Sequence, residues 1–315
     1  MIVFKRGEKM KKILLIFTIL FSALVLAGCK EKDTVKILAP SGTPALSQMY
    51  VEEKKDNYNY KIDIVGGVDP LASAFTSASY DIIYAPINLG AKMYLNNGNY
   101  RLLGVVVYCN YYLVTKTDTD FTLDSLQGKD IVLFGENAVS GIMATYIFNE
   151  NNLSNLNITY VNSVAEAQAE LIKDPSKVIL TAEPSLSVLE SKLSGLKNIS
   201  LSDEYETITG SVSFPQAGVF VKTTLDENVI LRYEGHLKAS VAKLYSDNTG
   251  SATLGSSLYT SFTKSVLEEA IPRSNINYKS ALDAKNDCIA FFNLLNTYNP
   301  NLIGGEIDDD FYFEG

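Results

Sequence analysis

The sequence predicts an α/β protein of two lobes, with a ligand cleft between them and two strands crossing from one lobe to the other. Three observations carry this. Short apolar runs of β-forming residues alternate with segments of helical period from Val35 to Lys222, the pattern of strand–helix–strand units. The chain has 315 residues, more than one ordinary core takes. And the apolar run from Leu102 to Tyr108 continues through Cys109 and Asn110 into a second extended run, Tyr111 to Thr115, as a strand does when it leaves one sheet for new structure.

The first residues stand apart from that pattern. Lys5, Arg6, Lys9, Lys11 and Lys12 precede an uncharged apolar run from Ile13 to Leu26, too short for a comfortable membrane span and suited to a signal peptide. It ends in Leu26-Ala27-Gly28-Cys29, which resembles a bacterial lipobox, so residues 1–28 are expected to be a lipoprotein signal peptide and Cys29 the lipidated new N-terminus, with residues 29–33 a short tether. Residues 1–28 hold five basic side chains and one acidic, so the remainder carries 22 basic and 35 acidic, a net charge of −13. Such a surface repels nucleic acid and anionic headgroups, so membrane attachment is expected from acyl chains rather than a basic patch.

In order, Val35 to Ala39 reads as the first strand. Thr43 and Pro44 follow as a cap and first helical residue, before the apolar face Ala45, Leu46, Met49 and Tyr50. Tyr60 to Val65 is a strand turned by Gly66-Gly67, and Asp69-Pro70 opens the next helix. Ile82 to Tyr84 is a strand stopped at Ala85-Pro86. Ile87, Ala91, Tyr94 and Leu95 share a helical face, and Asn97-Gly98 closes that helix with a left-handed glycine. Beyond the crossing, strands are expected at Ile131 to Phe134, Ile158 to Val161, Val178 to Thr181 and Ile199 to Leu201. Between them lie helices from Ile142, from Ser163 (with Glu166 completing a capping box) and from Ser185. Gln216 to Lys222 is the returning strand. From Asp226 onward the pattern is helical, with no strand expected, and those helices should pack on the first lobe. The expected lobes are residues 34–107 with 223–315, and residues 108–222.

Prolines at 44, 70, 86 and 184 each begin a helix after a strand. The N–H groups that follow such a proline point outward as acceptors' partners, and strand-to-helix turns lie where ligands bind in open α/β sheets. The alternative at each is simple helix initiation. Ser41, Gly42, Thr43, Ile87 and Asn88 are the candidates in the first lobe, and Ser140 and Gly141 in the second, where an N-cap serine with a packing glycine is the competing reading. Glu183 follows an apolar strand and should be partly desolvated, so it needs a partner: an amine-bearing ligand, its own helix, or a hinge-side lysine. Tyr84, Tyr108, Tyr111 and Tyr112 cluster near the crossing. Alternation puts Tyr108 and Asn110 on one side and Cys109 and Tyr111 on the other. No arginine or lysine falls in an expected cleft turn, which favours a neutral or weakly cationic ligand.

The order of parts resembles the type 2 solute-binding proteins of ABC importers, in the branch that includes nitrate, sulfonate, taurine and thiamine-pyrimidine-precursor binders. The residues carrying it are D-I-I-Y-A-P-I-N at Asp81 to Asn88, L-L-G-V-V-V-Y at Leu102 to Tyr108 and L-Q-G-K-D-I at Leu126 to Ile131. A-E-P at Ala182 to Pro184 and Q-A-G-V-F-V at Gln216 to Val221 complete the set. The resemblance implies the two-lobed type 2 periplasmic-binding-protein fold, and a monomer on the extracytoplasmic face of the cell membrane. It further implies capture of a small solute for a permease and ATPase, with Glu183 facing the ligand; Tyr84, Tyr108, Asn110 and Gln216 complete the ligand-binding candidates. A thiamine-pyrimidine-like heterocycle is preferred over a sulfonate- or nitrate-type oxyanion.

The other classes are a tethered enzyme and a surface sensor on the same fold. Against an enzyme, His236 is the one histidine, no nucleophile–base pair is legible, and no Cys/His cluster has metal-ligand spacing, so neither catalytic residues, metal nor cofactor are expected. Cys109 and Cys288 are expected as separate thiols.

Overall fold

A computed structural model describes residues 33–51, 58–117, 119–259 and 261–315. The expected signal peptide and Cys29 lie outside the described residues. The first part of the chain forms β1 (Asp33–Pro40), α1 (Thr43–Ser47), β2 (Tyr58–Val65), α2 (Asp69–Ser77), β3 (Ile82–Pro86), α3 (Ile87–Asn97) and β4 (Tyr100–Tyr108). After Cys109 and Asn110 come β5 (Tyr111–Lys116), β6 (Asp130–Phe134), α4 (Val139–Glu150), β7 (Asn157–Val161), α5 (Val164–Lys173), β8 (Val178–Ala182) and α6 (Ser185–Glu190). Then follow β9 (Leu196–Ser200), α7 (Leu201–Thr209), β10 (Pro215–Lys222), α8 (Glu227–Ser246), α9 (Asn248–Leu258), α10 (Lys264–Arg273), β11 (Ile276–Ser280) and α11 (Lys285–Tyr298).

Two sheets result. One has six strands in the order β11-β4-β10-β3-β1-β2, the other five in the order β7-β6-β8-β5-β9. β1 and β3 are parallel, while β10 runs antiparallel between β3 and β4, with Val219 opposite Tyr84 on one side and Gly104 on the other. The returning strand therefore separates the two strands of the β3–α3–β4 unit. This central position explains the apolar, buried middles of β3, β4 and β10, interrupted only near the strand ends by Arg101, Gln216 and Lys222. In the second sheet β6 is parallel to β7 and β8, and β5 is antiparallel to β8 and β9.

Local signals act as their chemistry dictates. Gly98 caps α3 with a φ of 63° and donates its N–H to the Tyr94 carbonyl. Ser163 accepts the Glu166 N–H at 3.2 Å. The Glu166 carboxylate takes the N–H of Asn162, one residue before the position expected of a capping box. Gly141 is needed for packing: a Cβ there would meet the Gly135 carbonyl oxygen at 2.3 Å.

Four expectations are corrected. Residues 109 and 110 are not strand, so strict alternation fails across the crossing. α7 and β11 went unforeseen: α7 has a polar face that resembles a loop, and β11 is a short edge strand inside a helical tail. β10 lies wholly in the six-stranded sheet, so the chain returns at Ser213 and Phe214 rather than through β10. The tail does not pack on the first sheet's layers alone. α10 packs against α6, and α11 packs against both β10 and α4.

The two crossings run side by side, the Cys109 N–H donating to the Phe214 carbonyl at 3.1 Å. A continuous apolar core passes beneath them. Phe214 packs on Tyr205 and stacks on Phe291 of α11, joining Leu113, Leu133 and Ile147 on one side to Ile83, Val105 and Phe220 on the other. Cys109 and Cys288 are buried free thiols, and burial pushes both well above the ordinary thiol range.

Candidate functional site

Two cavities lie between elements of the two sheets. The larger, about 370 Å³, is a groove between α6 and α10 walled by Glu190, Glu268, Glu269 and serine hydroxyls. The other, about 250 Å³, sits at the carboxyl ends of β1 and β3 beside the first crossing, where open α/β sheets bind ligands. Ser41, Asn88 and Gln216 line it from the six-stranded side, with the turn residues Pro40, Pro44 and Pro86 between them. Tyr111 and Val139 line it from the five-stranded side. No charged residue is in its wall.

The turns reach it for local reasons. Gly42 has a φ of 97°, a conformation open to glycine, and so turns the chain sharply from β1 into α1. Pro86 fixes the entry to α3 and leaves Asn88 in that helix's first turn. Gln216 comes from the start of β10, so the residue that closes the cavity floor belongs to the returning strand.

Behind the wall lies a hydrogen-bond network that ties the two sheets together. The Asn110 N–H donates to Gln216 Oε1 at 3.1 Å. Asn110 Nδ2 donates to Thr43 Oγ1 at 3.0 Å and to the Glu183 carbonyl at 3.3 Å. Thr43 Oγ1 in turn donates to that same carbonyl at 3.3 Å, and the Glu183 N–H returns to the Asn110 carbonyl at 3.1 Å. Both Asn110 amide protons go to oxygens, one of them a carbonyl that can only accept, which fixes the orientation of the side-chain amide.

The Glu183 carboxylate faces away from the cavity wall. Its Oε2 accepts from the Ser187 N–H at 3.2 Å and from the Ser187 hydroxyl at 2.9 Å. Its Oε1 lies 2.8 Å from Arg273 Nη2, a charge–charge contact in which the N–H direction misses the oxygen. Arg273 also grips Glu190 with both terminal nitrogens, at 3.2 and 2.6 Å. Burial raises the Glu183 pKa to about 7, against the opposing pull of Arg273 and Ser187. The expectation of a ligand-facing carboxylate is thus corrected: the partner is an arginine from the C-terminal tail, and the carboxylate also braces its own helix.

Other expected residues fall outside the wall. Tyr84 is fully buried, its hydroxyl 2.6 Å from that of Tyr233, and Ile87 is a core residue. Tyr108 points to α11, donating to Asp287 at 3.3 Å beneath Lys279. Ser140 donates to the Phe134 carbonyl at 2.8 Å, and with Gly141 it closes the turn into α4 rather than facing a ligand. Thr43 and Asn110 stand behind the wall, and Gly42 shapes it. Tyr111 carries the aromatic contact that the sequence placed on Tyr84 and Tyr108. Alternation through the crossing leaves open which side faces the cavity; the chain bends at 109–110, and Tyr111 rather than Tyr108 lines the wall. Gly67 and Val68 complete the mouth, and the Gly66-Gly67 pair after β2 was the available signal. His236 stays apart, half-buried on α8 with Nδ1 3.0 Å from the Tyr60 hydroxyl. Among the described residues no group of three or more His, Cys, Asp and Glu side chains is placed to hold a metal ion, and no helix is long and apolar enough to cross a membrane.

No protein-family model matches the chain, and no curated protein matches it. Solved structures do. An ABC transporter structure from Parabacteroides distasonis superposes with a TM-score of 0.80 at 22% identity, covering 89% of this chain and 99% of that one. The periplasmic aliphatic sulphonate binding protein of Escherichia coli gives 0.70 at 12% identity, over 90% and 92%. The alkanesulfonate-binding protein of Xanthomonas axonopodis pv. citri gives 0.63 at 14%, over 87% and 96%. The chain has the two-lobed type 2 periplasmic-binding-protein fold.

Proposed function

We propose that this chain is the substrate-binding subunit of an ABC importer. In this reading it is a monomer anchored by lipid on Cys29 at the extracytoplasmic face of the cell membrane, and it delivers a small solute to permease and ATPase subunits without catalysing a reaction. The observation that carries the reading is the cavity of about 250 Å³ at the strand ends, walled from both sheets, in a fold shared with an ABC transporter structure and a periplasmic sulphonate binding protein. The two sheets are read as lobes that close on the solute.

The wall also bears on the solute. It offers the Tyr111 ring, the Asn88 and Gln216 amides and the Ser41 hydroxyl, with apolar surface between them and no charge. Such a wall suits a flat, uncharged molecule with a few polar edges, which supports a thiamine-pyrimidine-like heterocycle over an oxyanion. The Glu183 carboxylate is occupied by Arg273 and Ser187 and does not bear on the choice of solute. One observation favours the oxyanion reading: the first turn of α3, at Asn88, holds no acidic residue, and a helix N-terminus favours negative charge.

Native mass spectrometry of the protein as purified, followed by a thermal-shift screen of pyrimidines, vitamins, sulfonates and nitrate, tests the reading. A bound solute raises the melting temperature by mass action. A pyrimidine-class response supports the preferred solute, a response to sulfonates or nitrate alone replaces it, and no response to any small solute overturns the binding function.

A further inference from the structure

We propose that Glu183 and Arg273 are positioning residues for the cavity: their ion pair, on the outer side of the seam between the sheets, sets the spacing of the cavity walls. The inference rests on the reading of that cavity as the solute site. It is carried by Glu183 being fastened on both sides. Its carboxylate is held by Arg273, the last residue of α10, and by Ser187 of α6. Its backbone carbonyl is held by Thr43 Oγ1 and Asn110 Nδ2, and its N–H by the Asn110 carbonyl. Asn110 is bonded in turn to Gln216, and Thr43 belongs to the turn between Ser41 and Pro44; Gln216, Ser41 and Pro44 are all wall residues. A displacement of Glu183 relative to the tail therefore moves Thr43 and Asn110, and through them Ser41, Pro44 and Gln216 on the six-stranded side and Tyr111, the neighbour of Asn110, on the five-stranded side.

Arg273 keeps a carboxylate partner when its contact with Glu183 opens. Arg273 is shared between two carboxylates, and its two-pronged grip on Glu190 persists when Glu183 takes a proton. The charged and titratable groups facing Glu183 are Arg273 from α10, Glu190 from α6 and Tyr112 from β5. Glu268 and Glu269 of α10 line the groove beside them. The opposing pulls on Glu183, burial against Arg273, leave it titrating near pH 7. Protonation there releases the Arg273 contact at Oε1 and leaves the serine bonds, so the clamp slackens as pH falls through that value.

The chain contains no tryptophan, so Val68→Trp at the cavity mouth gives a single indole reporter in the full chain. Its emission maximum and acrylamide quenching, followed from pH 5 to pH 9 without added solute, should change sigmoidally with a midpoint near 7. Adding Glu183→Gln should abolish that change. Adding Glu190→Gln removes the neighbouring negative charge that raises Glu183, and should move the midpoint to lower pH. This second arm decides the matter if Glu183→Gln fails to fold. A flat profile in the reporter protein, or one profile shared by all variants, overturns the proposal. A bracing role for the ion pair would lower melting temperature and leave the reporter's pH profile unmoved. Because the indole reads wall spacing with no solute present, its result is independent of the solute screen that judges the binding function.

Discussion

Phe214 and Phe291 stack with ring centroids 5.4 Å apart and planes 13° from parallel, one from the returning crossing and the other from the last helix. Both rings are fully buried, and the pair joins the cores of the two sheets. Phe291→Ala should therefore cost about 3–5 kcal/mol of stability, the range for deleting a buried phenylalanine. Urea unfolding of the two proteins measures it. A loss below about 1 kcal/mol, the scale of an ordinary tolerated substitution, would show that α11 is not a brace.

The Glu183 carboxyl gives stability a signed pH dependence. Its native pKa, about 7, lies above the ordinary value of 4.5, so between these limits the folded chain binds more protons than the unfolded chain. Stability from this group is then fully present below 4.5 and is lost as pH rises to about 7. Glu183→Gln removes that component. The unfolding free energy of wild type minus that of the variant should be larger at pH 5 than at pH 8, since groups common to both cancel. An equal difference at both pH values would mean that burial does not raise the Glu183 pKa.

Wall residues and core residues should separate in binding. For the solute found by the thermal screen, Asn88→Ala should weaken affinity by about 0.5–1.5 kcal/mol, the net worth of one hydrogen bond. Tyr84→Phe breaks the contact with Tyr233 and should lower melting temperature while leaving affinity alone. Calorimetry of both variants with that solute checks this, and an affinity loss in Tyr84→Phe would return that tyrosine to the site.

Cys29→Ser should leave the protein unacylated and free of membranes. Fractionation in high salt separates a lipid anchor from electrostatic adhesion, because salt screens the latter. A variant that stays with the membrane in high salt contradicts the lipid anchor.

The sequence by itself determined most of the elements and their order, α7 and β11 excepted. Strand and helix periods, the glycine at 98 and the serine at 163 are local physics: each acts over a few residues, so each was legible in place. The same is true of the turns at Ser41 and Asn88 that line the cavity, since a strand running into a proline-started helix locates its own carboxyl end. Tertiary structure decided what those local signals leave open. Whether Tyr108 or Tyr111 faces the cavity depends on a bend at Cys109 and Asn110, which shifts every later side chain. The partner of Glu183 is Arg273, carried back to α6 by a tail helix far downstream in the chain. A desolvated carboxylate announces in the sequence that it needs a counter-charge, but which cation supplies it depends on where helices pack, and packing joins residues that no local period relates.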